Sequence, residues 1–333
     1  MTADDERTRD RVIKACVELA EQIWREGLDP PDGPKVLYHY TGPKGLLGIV
    51  QESQIRVSRA TCLNDLREVK YGTSLAEEVT AERFRELNRN AAPSLAKALH
   101  HQLLSHPVLT SGKPGWVANT RSDAFVASFS AEPDSIGMWA YFARAGGYCL
   151  GLDRASLTKT LPPDSDDLRF SLSEVMYDRD EQRARFIEVI GRFEDMVQDQ
   201  LASVPMLHQE LGTLVAAIML RMILTTLSVR MKAPEFAPES EWRLLTLATE
   251  GEGTEDPSGE KDAALMHFRP VGSRLVPYFN AAYGPGRTPI VSVRSGPTVD
   301  GGIAHDSIYR LLKKHGYPWR VIEVRSSEIS LRE

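Results

Sequence analysis

Apolar positions recur at helical spacing through residues 5–26, where Val12, Cys16, Leu19 and Ile23 form one stripe and Gly27 follows. "LDPPDGPK" then breaks the pattern as a linker. "KVLYHYT" reads as a strand, "GPKGLLGIVQE" as a short helix and "QIRVSRA" as an alternating strand. Residues 65–105 read as helical with a highly charged surface, interrupted at "NRNAAPS". "DAFVASFS" predicts a strand, "DSIGMWAYFA" a helix capped by Asp134 or Ser135, and "GYCLGLD" and "RFSLSEVMYD" further strands. Two more helices are expected across 179–231, followed by a strand at "ESEWRLLTL" and an exposed acidic loop at "GEGTEDPSGEKD". The last stretch predicts three strands, a helix at "GGIAHDSIYRLLKKHG" and a final strand in "YPWRVIEVRSS". Strands do not alternate with single helices, so a doubly wound parallel sheet fits poorly. The pattern favours a mostly antiparallel α+β core carrying two helical insertions.

One apolar segment needs a membrane test. Leu211 to Val229 is long enough to span a bilayer, but it carries Arg221 at its centre. A central charge costs about 2.5–3.5 kcal/mol on insertion, so a buried helix and no membrane partner are expected. The acidic, polar N-terminus is unlike a signal peptide. Net charge is −6, which argues against bulk electrostatic binding to nucleic acid and leaves a local basic groove open. Cys16, Cys62 and Cys149 are scattered and odd in number, so neither a disulfide framework nor a zinc site is expected, and a cytoplasmic location is simplest. No metal is expected. His100, His101 and His106 cluster in sequence but lack an acidic or cysteine partner.

Several residues could carry chemistry, each with a structural alternative. In the "VLYHYT" strand, Leu37, His39 and Thr41 share one face and Val36, Tyr38 and Tyr40 the other. His39 either packs as a hydrogen-bonded core histidine or holds a ligand. In "PESEWRLL", Glu239, Glu241 and Arg243 share a face if the strand begins early enough. Two carboxylates there could divide acid–base work, or Glu241 simply pairs with Arg243 at a solvated strand end. Ser128 and Ser130 share a face. Trp139 and Tyr141 follow on an aromatic helix whose spacing suits core contacts or a stacking wall for a heterocycle. Asn64 and Arg67 lie at a strand-to-helix junction, where capping competes with contact to a ligand phosphate. The sequence contains no P-loop, GxGxxG, HExxH or GxSxG motif. "GPTVDGG" reads as a turn or as a phosphate-holding loop.

Taken in order, "LYHYTGPKGLLGIV", "CLNDLREVKYG", "VASFSAEPDSIGMWAYFA", "GYCLGLD", "ESEWRLL" and "GPT…VIEVRSSEISLR" resemble a large, mostly bacterial family of unknown function, from about residue 35 to 331. An HxT at the end of a first strand, followed by a short helix, is also similar to the ADP-ribosyltransferase fold. The nearest likeness is to toxins that modify thymidine in DNA. This resemblance implies a split-sheet core over residues 31–333, with helical insertions at about 65–115 and 179–235, preceded by a helix and linker over residues 1–30. It implies NAD as substrate, a nucleic acid or protein as acceptor, a toxin or defence role, and an inhibitor partner. His39, with Tyr40 and Thr41, would hold the NAD ribose. Asn64, Arg67, Ser128, Ser130, Trp139 and Tyr141 would line the cofactor site. Glu241 would stabilise the cation formed as nicotinamide leaves, with Glu239 handling the acceptor. No equivalent of the toxins' conserved arginine can be fixed, although Arg59 and Arg67 are candidates. Two other readings stay open. One is a non-catalytic nucleotide-binding or regulatory module. The other is a phosphoesterase built on "HYT" at His39 and "HDS" at His305.

Overall fold

The computed structural model describes residues 3–28, 30–62, 66–87, 120–143, 146–160, 170–204, 206–251, 265–283 and 287–329. In chain order the elements are α1 (Ala3–Arg25), β1 (Val36–Thr41), α2 (Pro43–Glu52), β2 (Gln54–Arg59), α3 (Leu66–Leu87), β3 (Thr120–Ser130), α4 (Ile136–Phe142) and β4 (Tyr148–Asp153). Then follow α5 (Arg154–Leu157), β5 (Ser171–Glu174), α6 (Arg179–Leu201), α7 (Met206–Ser228), β6 (Glu241–Gly251), β7 (His267–Val271), β8 (Arg274–Ala282), β9 (Ile290–Ser295), α8 (Gly301–Lys314) and β10 (Glu323–Ser326). The chain divides into two units, each assembled from three separate segments.

The first unit comprises Met1–Leu28, Asn64–Asn119 and Met176–Glu235. Its described helices are α1, α3, α6 and α7, which share one apolar core. The N-terminal helix and the described helices of the two expected insertions thus share one body, a grouping that spacing along the chain does not announce. On α6, Phe186, Val189, Ile190, Phe193, Val197 and Leu201 form the buried stripe. Asp178 caps α6 by accepting hydrogen bonds from the Asp180 and Glu181 amides. Helix α7 is apolar around much of its circumference because it contacts α1, α3 and α6. Burial depresses the pKa of Arg221, and no described helix is long and apolar enough to cross a membrane. Gly72 lets α3 approach α7 closely, since a Cβ there would lie 2.6 Å from the Ser228 carbonyl oxygen.

The second unit comprises Asp29–Leu63, Thr120–Val175 and Phe236–Glu333. It holds a ten-stranded, mostly antiparallel sheet ordered β10-β9-β4-β1-β3-β2-β8-β7, with β6 on β3 and β5 on β6. Only β9 and β10 pair in parallel among these strands. The main core lies on one face, where Leu37, Phe125, Phe129, Leu150, Trp242 and Val293 meet α2 through Leu46 and Ile49, and α8 through Ala304, Ile308 and Leu312. A smaller cluster on the opposite face gathers Tyr40, Cys149, Met138 and Trp139.

The pairing along β3 is irregular in one place. Its full length pairs with β6 on one edge, from Thr120↔Gly251 to Ser130↔Glu241. On the other edge β2 pairs at Phe125 and Val126, whereas β1 pairs only at Ser130. Strands β1 and β2 therefore fork away from each other along β3, leaving Ala127, Ser128 and Phe129 without a strand partner on that edge.

Two expectations change, and a third falls outside the described residues. The α4 N-cap is Ser135, but its side chain makes no capping bond, and the Asp134 carboxylate serves other donors. The final strand is only the four residues Glu323–Ser326, because Pro318 and the turn hydrogen bond from the Val321 amide to its carbonyl occupy the preceding stretch. The second half of the expected helical segment after residue 87, with His100, His101 and His106, lies outside the described residues.

Candidate functional site

His39 sits at the fork. Its ring Nδ1 lies 3.0 Å from the Ser128 carbonyl oxygen. A carbonyl can only accept, so Nδ1 carries the proton and donates. The imidazole thereby takes the place of a strand neighbour on β3. It also lies at 56° to the Phe129 ring, with centroids 5.7 Å apart. Burial lowers the His39 pKa, the Ser128 carbonyl partly opposes that, and the positive charge of Arg269 lowers it further. The neutral ring then presents Nε2 as a hydrogen-bond acceptor.

Arg269 is the residue that sequence reading missed. Register places it opposite Val276, which puts it on the sheet face of Ser58 and Tyr278. One of its terminal nitrogens donates to Ser58 Oγ at 3.1 Å, and its buried Nε has no hydrogen-bond partner. On the same face, Asn280 Oδ1 is also buried without a partner. Burial depresses the Arg269 pKa, and nearby Arg56 adds to the effect. Nothing in the sequence around "HFRP" flags this arginine, because its importance arises from strand pairings between distant residues.

The carboxylates lie elsewhere. Ser240 has a left-handed φ of 43°, so strand alternation begins only at Glu241. Glu239 belongs to the preceding 3-10 turn and is not set on the Glu241 face by alternation. Arg243 Nε donates to Glu241 Oε1 at 2.8 Å, and a terminal nitrogen donates to Oε2 at 2.9 Å. The side chains of Arg243 and Glu241 are 3% and 4% exposed. The pair is therefore a buried two-pronged clamp rather than a solvated strand end. Ser130 lies opposite Glu241 and Ser128 opposite Arg243. The Ser130 hydroxyl is occupied: it donates to the Glu239 carbonyl at 2.7 Å and accepts from the Glu132 amide at 3.0 Å.

The register also settles which groups share a face. Tyr38, not His39, lies opposite Ser130. Glu241, Ser130, Ser128 and Tyr38 thus project to one side of the sheet, and His39 projects with Leu37 and Phe129 to the other. His39 and Glu241 are not brought onto one face.

The remaining candidates are mostly built into the fold. Trp139 is fully buried, meets Tyr40 edge-on with centroids 4.9 Å apart, and donates Nε1 to Asp134 at 2.6 Å. Packing claims it, and the stacking-wall expectation fails for this ring. The Tyr40 hydroxyl donates to the Glu132 carbonyl and accepts from the Ser135 amide, which fixes the turn between β3 and α4. Thr41 packs its side chain against Gly45, where no Cβ could fit. Tyr141 is 78% exposed. Asn64 and the Arg67 side chain lie outside the described residues, whereas Arg59 ends β2. His305 lies within α8, so "HDS" is helical rather than part of a second strand-borne histidine element. No group of three or more potential metal-binding His, Cys, Asp or Glu side chains occurs among the described residues.

A family model described as a protein of unknown function (DUF2971) matches residues 138–244, about a third of the chain. The match runs from α4 through the first four residues of β6 and includes Glu241 and Arg243. No curated protein and no solved structure matches the chain.

Proposed function

We propose that the sheet unit is an NAD site of the ADP-ribosyltransferase type and that the protein transfers ADP-ribose to a nucleic acid or protein acceptor. The fork in the sheet carries this reading. His39 spans it with a proton-bearing Nδ1 on Ser128 and a lone pair on Nε2, while the charge of Arg269 reaches it from the opposite, Ser58, face of the sheet. A neutral imidazole acceptor suits a ribose hydroxyl. In the reaction the bond between nicotinamide N1 and ribose C1′ breaks. Nicotinamide departs with the bonding electron pair, and positive charge develops across C1′ and the ring oxygen. The acceptor nucleophile then bonds to C1′ and releases its proton to solvent. A carboxylate beside that developing charge lowers the barrier. For Glu241 to supply it, the clamp with Arg243 has to open and the start of β6 has to reseat at Ser240.

A second reading has a specific observation in its favour. Glu241 is buried, neutralised by Arg243 and on the face opposite His39. A module that binds NAD without turning it over needs nothing more from that pair. The test is calorimetric NAD binding by the full chain together with assay of nicotinamide release, with and without oligonucleotide or protein acceptors. Transfer predicts binding weakened at least tenfold by His39→Ala, and nicotinamide release abolished by Glu241→Gln with binding retained. Binding without release selects the non-catalytic module. Neither binding nor release overturns both.

A further inference from the structure

The C-terminal end of α8 gathers cations without counter-ions. From Ser307 to Ile322 the sequence contains Arg310, Lys313, Lys314 and Arg320 but no Asp or Glu. Neighbouring charges are paired: Arg310 binds Asp306, and Arg325 binds Glu323. Lys313, Lys314 and Arg320 are exposed and have no ion pair among the described residues. One aromatic ring holds two of these cations, Lys313 and Arg320, instead. Lys313 Nζ lies 5.8 Å and Arg320 Cζ 5.2 Å from the Trp319 ring centre. Arg287 Cζ lies 6.0 Å from the Tyr317 ring centre.

A lysine near a helix C-terminus is favoured by the helix dipole. That accounts for Lys313 and Lys314 but not for Arg287 or Arg320, which lie outside the helix. An exposed cation–π contact orients a charge while stabilising it only weakly. The result is a preoriented positive surface on a chain whose net charge is −6. We infer that this surface, around Lys313, Lys314, Trp319, Arg320 and Arg287, docks a single nucleic-acid strand through its phosphates. Several like charges spaced around the partly exposed Trp319 match a linear polyanion better than a compact acidic protein patch. The inference does not depend on the NAD site.

The test is binding of a fluorescent single-stranded oligonucleotide to the full chain across a salt series. One phosphate neutralised by each of the exposed Lys313, Lys314 and Arg320, with the half-buried Arg287 flanking them, gives a slope of log K against log salt of about −2 for a single strand. The K313A/K314A/R320A variant should bind at least tenfold more weakly, with a slope near zero and unchanged NAD binding. Lys314→Glu, a fully surface change, provides a second variant that keeps the fold and should also weaken binding. No oligonucleotide binding at low salt, equal binding by the variants, or capture of phosphatidylserine vesicles in place of oligonucleotides would each overturn the inference.

Discussion

Arg243 holds both oxygens of Glu241 at a site sheltered from water. Desolvating two charges is expensive, so such a pair adds little net stability when intact, whereas removing one partner strands the other. Glu241→Ala and Arg243→Ala should each cost about 3–5 kcal/mol in urea unfolding, and replacing both with apolar residues of similar volume should cost much less. Single variants costing less than about 1 kcal/mol would show that the pair is solvated in solution. Asp134 gives a pH-dependent prediction. Burial raises its pKa, but donation from Ser327 Oγ, Trp139 Nε1, the Glu328 amide and Arg294 outweighs that and leaves it below the ordinary value. A depressed carboxylate stabilises the fold above its unfolded pKa, and the contribution disappears as pH falls through the folded pKa. The stability gap between wild type and Asp134→Asn should therefore be widest at neutral pH and close on acidification. Sequence reading identified Glu241, Arg243 and their two-residue spacing. It did not reveal that the strand begins at Glu241 because Ser240 adopts a left-handed conformation. His39 was legible as a polar residue on a strand, but its donor role came only from the Ser128 carbonyl of a distant strand. Arg269 carried no local signal at all.

At the scale of elements, period was informative. The amphipathic stripe of α1 and the alternation of β2 correspond to observed buried faces. Strand order was not legible, since hydrophobic alternation identifies a face but not a neighbour. The fork depends on which residues of β3 meet β1 and which meet β2. No property of either strand alone specifies that. Close helix approach was similarly hidden in a single glycine. Gly72→Ala would force a methyl group toward the Ser228 carbonyl, so α3 or α7 must shift. An overpacking penalty of about 1–3 kcal/mol is expected, measurable as a lower urea midpoint. An unchanged midpoint would mean that the two helices part without cost.

For the molecule as a whole, three distant segments make the helical unit and three others make the sheet unit. The order of strand and helix patterns pointed to an α+β protein, but chain order alone could not assign α1 to the body containing α3, α6 and α7. The candidate nucleotide site lies within the sheet unit, and its pH response follows from His39. Because burial and the charge of Arg269 lower the pKa of that ring against the opposing Ser128 carbonyl, NAD affinity should fall on acidification only below the pH at which an ordinary histidine protonates. The most direct test of the NAD assignment is calorimetric titration of NAD into the wild-type chain and His39→Ala. The fork predicts one saturable site in the wild type and at least a tenfold loss of affinity in the variant. A wild-type chain that binds no NAD, or a variant that binds it equally well, would contradict the assignment.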